Sequence, residues 1–394
     1  MSSAQVIRDC QTFFNPSALF APALQLEKEA REREEKFQKY RRKGSKRQLQ
    51  VKIGHGGTLD PLATGVLILG VGKGTKSLQA FLNCTKTYET VVLFGASTDT
   101  YDRVGRIIKK GQYDEVTQSA VEKALENFRG KYKQMPPLYS ALKMEGKPLY
   151  EYAREGKPIP REISTRDVEV TELEMLEWYE PGTHTHRWPA EEAEAAEKNL
   201  VDSVWRVAKR QAALEEEVGK LTEEEQEEES KALAEYQSTK RKAEERVDEL
   251  VREEQPSAKK RKAERSSQPG PSQETPMMSG ALGKLPPSGK GSNLLPPPPS
   301  PDTPPPWEGK GPPACKIRMT VTSGFYVRSL CHDLGEMLGS GAMMAELART
   351  RQGDFVLGGP NCLEYTDLLE EETVWAPKVE SMLALWNAGP KKDQ

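Results

Sequence analysis

The sequence predicts an α+β fold interrupted by a long insertion, and three observations carry that prediction. Within residues 51–180, short β-branched runs such as Thr90-Val91-Val92-Leu93-Phe94 alternate with an amphipathic helix. A strand-and-helix pair follows Cys315, too small to bury a core alone, so it must complete a domain begun earlier. Between the two, residues 266–313 hold 15 prolines and 7 glycines in 48 positions, a composition that supports no packed core.

Each element follows from its residues. Residues 1–50 are an N-terminal segment in which 27–47 alternates acid and base and then turns basic, the pattern of an exposed helix ending in a cationic loop. Residues 51–180 are the first part of the main globular domain. Its helix at 115–129 places Val121, Leu125 and Phe128 on one face, with Gly130 as the stop. Residues 181–313 read as an insertion looped out of the domain, with charged exposed helix over 190–265 and then the Pro-rich linker. Residues 314–357 complete the domain. There Ile317, Met319 and Val321 alternate with Arg318, Thr320 and Thr322 at strand period, and Leu330, Leu334 and Leu338 recur at helical spacing. Residues 358–394 are a short acidic tail containing Glu364, Asp367, Glu370, Glu371 and Glu372.

Composition excludes several classes. The 394 residues are 36% hydrophobic and 30% charged, and no window approaches the apolar length of a membrane-spanning helix. Five cysteines form no CxxC pair, which argues against a disulfide framework or a zinc site and for reduced thiols inside a cell. The net charge of −3 hides a basic N-terminal part and an acidic insertion.

The densest chemical motif is Gly54-His55-Gly56-Gly57-Thr58-Leu59-Asp60-Pro61-Leu62-Ala63-Thr64-Gly65. Glycines let the backbone turn tightly and a ligand approach closely, while Pro61 restricts Asp60 to an extended conformation. An isolated Asp-Pro would read as a structural turn, but the length of this pattern favours a carboxylate held for use. Phosphate-loop readings fail: Lys73 has Leu67 where the first glycine should stand and Gly74 where Ser or Thr should follow. His184 and His186 lack a further ligand at metal spacing, and no Gly-x-Ser-x-Gly elbow occurs in the ordered segments. Acid–base or covalent chemistry by a carboxylate remains. Tyr88, in Lys86-Thr87-Tyr88 at the start of a strand, could stack on a base or move a proton, with a buried core tyrosine as the alternative. Phe325-Tyr326-Val327-Arg328 leads into the helix near Ser329, where a guanidinium could hold a carboxylate ionised; a surface arginine is the alternative.

These segments resemble a family. Gly54 through Leu67, Lys86-x-Tyr88, Pro137–Lys143 with Gly146–Gly156, and Ser323–Arg328 with Asp333-Leu334-Gly335 are similar to the ordered motifs of TruB-type tRNA pseudouridine synthases, most nearly the fungal enzymes acting on uridine 55 of the T-loop. The resemblance implies a pseudouridine synthase fold, a curved, mainly antiparallel sheet with flanking helices. It implies that Asp60 is the catalytic aspartate, Arg328 its salt-bridge partner, and Tyr88 the active-site tyrosine. His55 matches a histidine near the flipped nucleotides, Tyr326 a pocket tyrosine, and Leu347 an apolar pocket residue. Residues 134–156 match the loop that clamps the T-loop, with Tyr139 and Lys143 on it, and Gly54 and Lys86 join the substrate-binding set.

The implied reaction breaks the C1′–N1 bond of uridine, turns the base over and joins C5 to C1′, so no cofactor and no metal is expected. A carboxylate can stabilise or trap the ribose cation, as in glycoside hydrolysis. The implied partner is tRNA, bound by a monomer without guide RNA and without a membrane. The run Pro296–Pro306 suits an SH3- or WW-type partner.

Two departures from the family pattern stand out. The chain opens at Met1-Ser2-Ser3-Ala4-Gln5, inside the family's first motif, which predicts a missing first strand and exposed core surface near the site. The acidic tail leaves no room for the family's RNA-binding appendage. Rival readings are a tRNA-binding or tRNA-folding protein without catalysis, and a scaffold acting through the Pro-rich run. For location, Lys259-Lys260-Arg261-Lys262 suits nuclear import or a solvated charge cluster; the expectation is nucleus and/or mitochondrion, with cytoplasm as the alternative.

Overall fold

In the computed structural model, the described residues are 1–37, 49–140, 142–144, 146–149, 163–193, 198, 304–307 and 309–389. The chain divides into two compact units, residues 1–201 with 278–394 and residues 202–277; every described residue belongs to the first. The expected cationic loop, most of the charged helix over 190–265, most of the Pro-rich run and the Lys259–Lys262 cluster lie outside the described residues.

The chain opens with helices α1 (Ser3–Phe14) and α2 (Ala21–Phe37). Strands β1 (Ile53–His55), β2 (Thr64–Gly65) and β3 (Leu69–Val71) lead to the short α3 (Leu78–Asn83). Next come β4 (Lys86–Phe94), β5 (Ala96–Thr98), β6 (Ile107–Lys110), α4 (Gln118–Leu125), β7 (Gly130–Gln134), β8 (Lys143–Met144), β9 (Lys147–Pro148) and β10 (Arg166–Tyr179). After the insertion follow β11 (Ala314–Val321), α5 (Val327–Met337), β12 (Ala342–Gln352), β13 (Phe355–Val356), α6 (Tyr365–Leu368) and α7 (Glu372–Ala388).

Among the described residues the main sheet runs β13-β12-β4-β11-β10-β7, antiparallel at every step, and β2 joins β12 in parallel. Thr117 caps α4 by accepting the Ala120 N–H, and Gly130 follows with φ +82°. The two periodicities visible in the sequence meet in one core. Ile317, Met319 and Val321 of β11 pack with Leu330 and Leu334 of α5 and with Val121, Leu125 and Phe128. Tyr88, Val92 and Phe94 of β4 face that core, while Val91 and Leu93 face the other way. Both faces of β4 are therefore covered, which is why its sequence reads as a continuous apolar run.

The cover on the second face corrects the extent of the insertion. Tyr179 pairs with Ala314, so the insertion occupies the tip of the β10–β11 hairpin. Its flanks are not looped out. Trp188 packs with Val91, Leu93, Ile107, Met343 and Ala345 and donates from Nε1 to the Phe94 carbonyl at 2.8 Å, while Trp307 meets it edge-on at 5.2 Å. Ile107 exchanges backbone hydrogen bonds with Glu191 and Ala193, both at 2.9 Å.

The tail expectation changes similarly. Trp375 and Val379 of α7 and Leu368 of α6 form a third cluster with Cys10 and Phe14 of α1, Phe20 and Val51. The two ends of the described chain thus share one core. No helix among the described residues is long and apolar enough to cross a membrane.

Candidate active site

The site lies where the β1–β2 loop, the start of α5 and the paired strands β4 and β12 converge. Asp60 sits in the β1–β2 loop, on a turn closed by the Ala63 N–H donating to its carbonyl at 2.9 Å. The Leu59 N–H donates to Ser3 Oγ at 3.0 Å, so α1 buttresses this loop where the sequence predicted exposed core surface. On the far side, the Val66 N–H donates to the Arg349 carbonyl at 2.8 Å. Gly65, at φ +92°, approaches Arg349 so closely that a Cβ would fall 2.2 Å from that carbonyl oxygen; only glycine fits.

Arg328 enters from the first turn of α5. Its Nε donates to Asp60 Oδ2 at 2.9 Å and its Nη2 to Asp60 Oδ1 at 3.1 Å, a bidentate pair. Two more donations fix the plane of the guanidinium: Nη1 to the Thr100 carbonyl at 3.0 Å and Nη2 to the Tyr139 carbonyl at 3.2 Å. The Arg328 side chain is 8% exposed and that of Asp60 33%, so the cation is buried while the carboxylate still faces an opening. Burial alone would lower the pKa of Arg328, but Asp60 and Asp102 together hold it above its ordinary value.

Sequence reasoning missed Asp102. It accepts from the Thr100 hydroxyl at 2.7 Å and the Val104 N–H at 3.0 Å, and its other oxygen lies 3.9 Å from Arg328 Nη1. Burial pushes this carboxyl up, against the pull of Arg328 and the Thr100 hydrogen bond. The sharp turn that places it includes Tyr101 at φ +63°, whose ring stacks on His332 at 4.0 Å. Thr98-Asp99-Thr100-Tyr101-Asp102, flanked by Gly95 and Gly105, was the available signal, but such a run also suits an ordinary turn.

The remaining expected residues separate into two groups. Tyr88 and Leu347 belong to the same buried cluster, on neighbouring strands β4 and β12. Burial raises the Tyr88 phenol above its ordinary pKa. Tyr326 precedes α5 and is clasped by Gln134, which accepts its N–H at 2.8 Å and donates to its carbonyl at 3.0 Å; Arg166 lies over its ring at 5.7 Å. His55 ends β1 with a lowered pKa, from burial first and the Arg349 charge second. Tyr139 reaches the site through its carbonyl.

Gly54 and Lys86 take structural roles instead. A Cβ at Gly54 would stand 2.9 Å from Leu78 Cδ1, so this glycine permits close packing on α3. The Lys86 ammonium donates to the Leu82 and Cys84 carbonyls at 3.0 and 2.8 Å, capping the end of α3 rather than facing the pocket. Lys143 lies in β8, and its side chain is outside the described residues. Among the described residues no group of three or more His, Cys, Asp or Glu side chains could hold a metal ion.

Chemically, the site presents a paired, partly exposed carboxylate, with a phenol and a leucine side chain on the adjoining strands. Such a set can stabilise or trap an electron-poor carbon and retain a planar group beside it.

The TruB family pseudouridylate synthase N-terminal domain matches residues 42–190, and the tRNA pseudouridylate synthase B C-terminal domain matches residues 328–385. The second match covers most of the segment read from sequence as a tail. The tRNA pseudouridine synthase 4 of Schizosaccharomyces pombe is 38% identical over 330 residues, 83% of this chain and 71% of that protein. Its Saccharomyces cerevisiae namesake is 32% identical over 400 residues, 97% of this chain and 82% of that protein. The tRNA pseudouridine synthase B of Azoarcus is 49% identical over 125 residues, 32% of this chain and 41% of that protein. The chain therefore belongs to the TruB family of pseudouridylate synthases and is an isomerase.

Proposed function

We propose that the chain converts uridine 55 in the T-loop of tRNA to pseudouridine, as a monomer acting without guide RNA. The observation that carries the reading is the bidentate Arg328–Asp60 pair, which leaves a fixed and partly exposed carboxylate. The relatives named tRNA pseudouridine synthase support the substrate class.

In this reading the target nucleotide leaves its stack to reach Asp60, at a cost of about a few kcal/mol repaid by stacking and phosphate contacts. Asp60 engages C1′ as the C1′–N1 bond breaks, and Arg328 holds both of its oxygens in place. Tyr88, Tyr326 and Leu347 hold the detached uracil while it turns. The C1′–C5 bond then forms, C5 loses its proton, and N1 takes one up. In this reading Tyr88 moves that proton.

The test is an unmodified tRNA transcript incubated with the purified protein, followed by mapping of pseudouridine. Product at position 55 with the wild type and none with Asp60→Asn is expected. Binding of the transcript without product, or product at another position alone, would overturn the reading.

A further inference from the structure

We propose that Arg349 is a positioning residue for the reaction: it clasps the loop that carries Asp60 and sets a fixed positive charge against the Tyr88 phenol. This rests on the reading that Tyr88 moves a proton.

Arg349 stands directly opposite Tyr88 in the β4–β12 pairing and is 1% exposed. Its Nε donates to the Val66 carbonyl at 2.8 Å and its Nη2 reaches the Gly57 carbonyl at 3.5 Å, one on each side of Asp60. Its own carbonyl receives the Val66 N–H, and Gly65 packs against the same peptide. One residue thus closes the 57–66 loop from both ends.

The charge has a second consequence. The two nearby carboxylates, Asp60 and Asp102, both pair with Arg328. Among the described residues the Arg349 guanidinium donates to backbone carbonyls, and Arg349 faces Tyr88 directly across the strand pairing. A buried cation given no carboxylate is costly to keep, which points to use in the site. The ionisable groups acting on Tyr88 are Arg349 from β12, Asp60 from the loop and Cys84 from the end of α3; its β11 neighbour, Met319, carries no charge. Burial raises the phenol, and Asp60 and Cys84 push the same way; Arg349 is the one charge that opposes them.

The experiment measures single-turnover pseudouridine formation in an unmodified tRNA transcript from about pH 6 to 9, where proton-transfer limbs are read. It compares the full-length wild type, Arg349→Lys, Arg349→Gln and Tyr88→Phe, with tRNA affinity recorded for each. Loss of the charge should displace the rising limb to higher pH by about one unit in Arg349→Gln, a rate loss of about ten-fold at neutral pH. Arg349→Lys keeps the charge but not the fork, so its limb should move less. An unmoved limb in whichever variant retains tRNA affinity overturns the inference even if the rate falls, because a clasp alone changes rate without changing pH dependence. A wild-type rate in Tyr88→Phe would instead remove the Tyr88 reading on which the inference rests. A large loss there with unmoved limbs in the Arg349 variants removes the inference alone.

Discussion

Arg328 is the side chain whose surroundings are most fully specified, with four donations that end on Asp60, Thr100 and Tyr139. A lysine there would keep the charge yet could reach neither both carboxylate oxygens nor both carbonyls in one plane. Arg328→Lys should therefore lower kcat by about 10²–10³-fold, the scale of losing one preorganised electrostatic donor, with tRNA affinity near wild type. Steady-state kinetics beside a filter-binding measurement checks this; a fall in affinity with kcat intact would mean that Arg328 serves binding. Asp60 and Arg328 were legible because each lies in a long motif. Asp102 and Arg349 were not, since a turn aspartate and a strand arginine carry no local mark of burial. What makes them part of the site is pairing across strands remote in sequence, Arg349 opposite Tyr88 and Met344 bridged to Asp102.

At the scale of elements, β4, β11, α4 and α5 follow their apolar periodicity closely, because each buries one face or two against a single core. The flank at 181–193 broke the pattern. It has neither strand nor helix period, so its composition looked like the beginning of the insertion, and a lone tryptophan gave no sign of a partner. In the fold, Trp188 is the largest buried side chain of the cluster on the reverse face of the sheet, and its indole satisfies the Phe94 carbonyl. Trp188→Ala would lose that packing and strand the carbonyl. The expected destabilisation is about 3–5 kcal/mol for the aromatic truncation, seen as a lower urea midpoint. A midpoint shift under about 1 kcal/mol would show that the flank does not hold the sheet, given how much a buried aromatic side chain normally contributes.

For the whole molecule, the position of the insertion matters more than its length. It begins and ends on the paired residues Tyr179 and Ala314, and its flanks pack on the sheet through Trp188, before the chain leaves the first unit, and Trp307, after it has returned. The family matches, 42–190 and 328–385, include its first flank with Trp188 and leave 191–327 between them. The closure cost of such a loop grows only with the logarithm of its length, about 0.6 kcal/mol per doubling. Replacing residues 202–277 with a short Gly/Ser linker should thus leave stability within about 1 kcal/mol of wild type. Pseudouridine formation on a tRNA transcript should persist as well, because Asp60, Arg328, Tyr88 and Arg349 all lie in the other unit. Extending the same deletion to residue 185 removes Trp188 and should destabilise the fold about as much as Trp188→Ala or more. The pair of deletions separates a tolerated insertion from a required one. If the shorter deletion abolished modification while the melting transition stayed in place, the second unit would have to take part in handling tRNA, and the site described above would be incomplete without it.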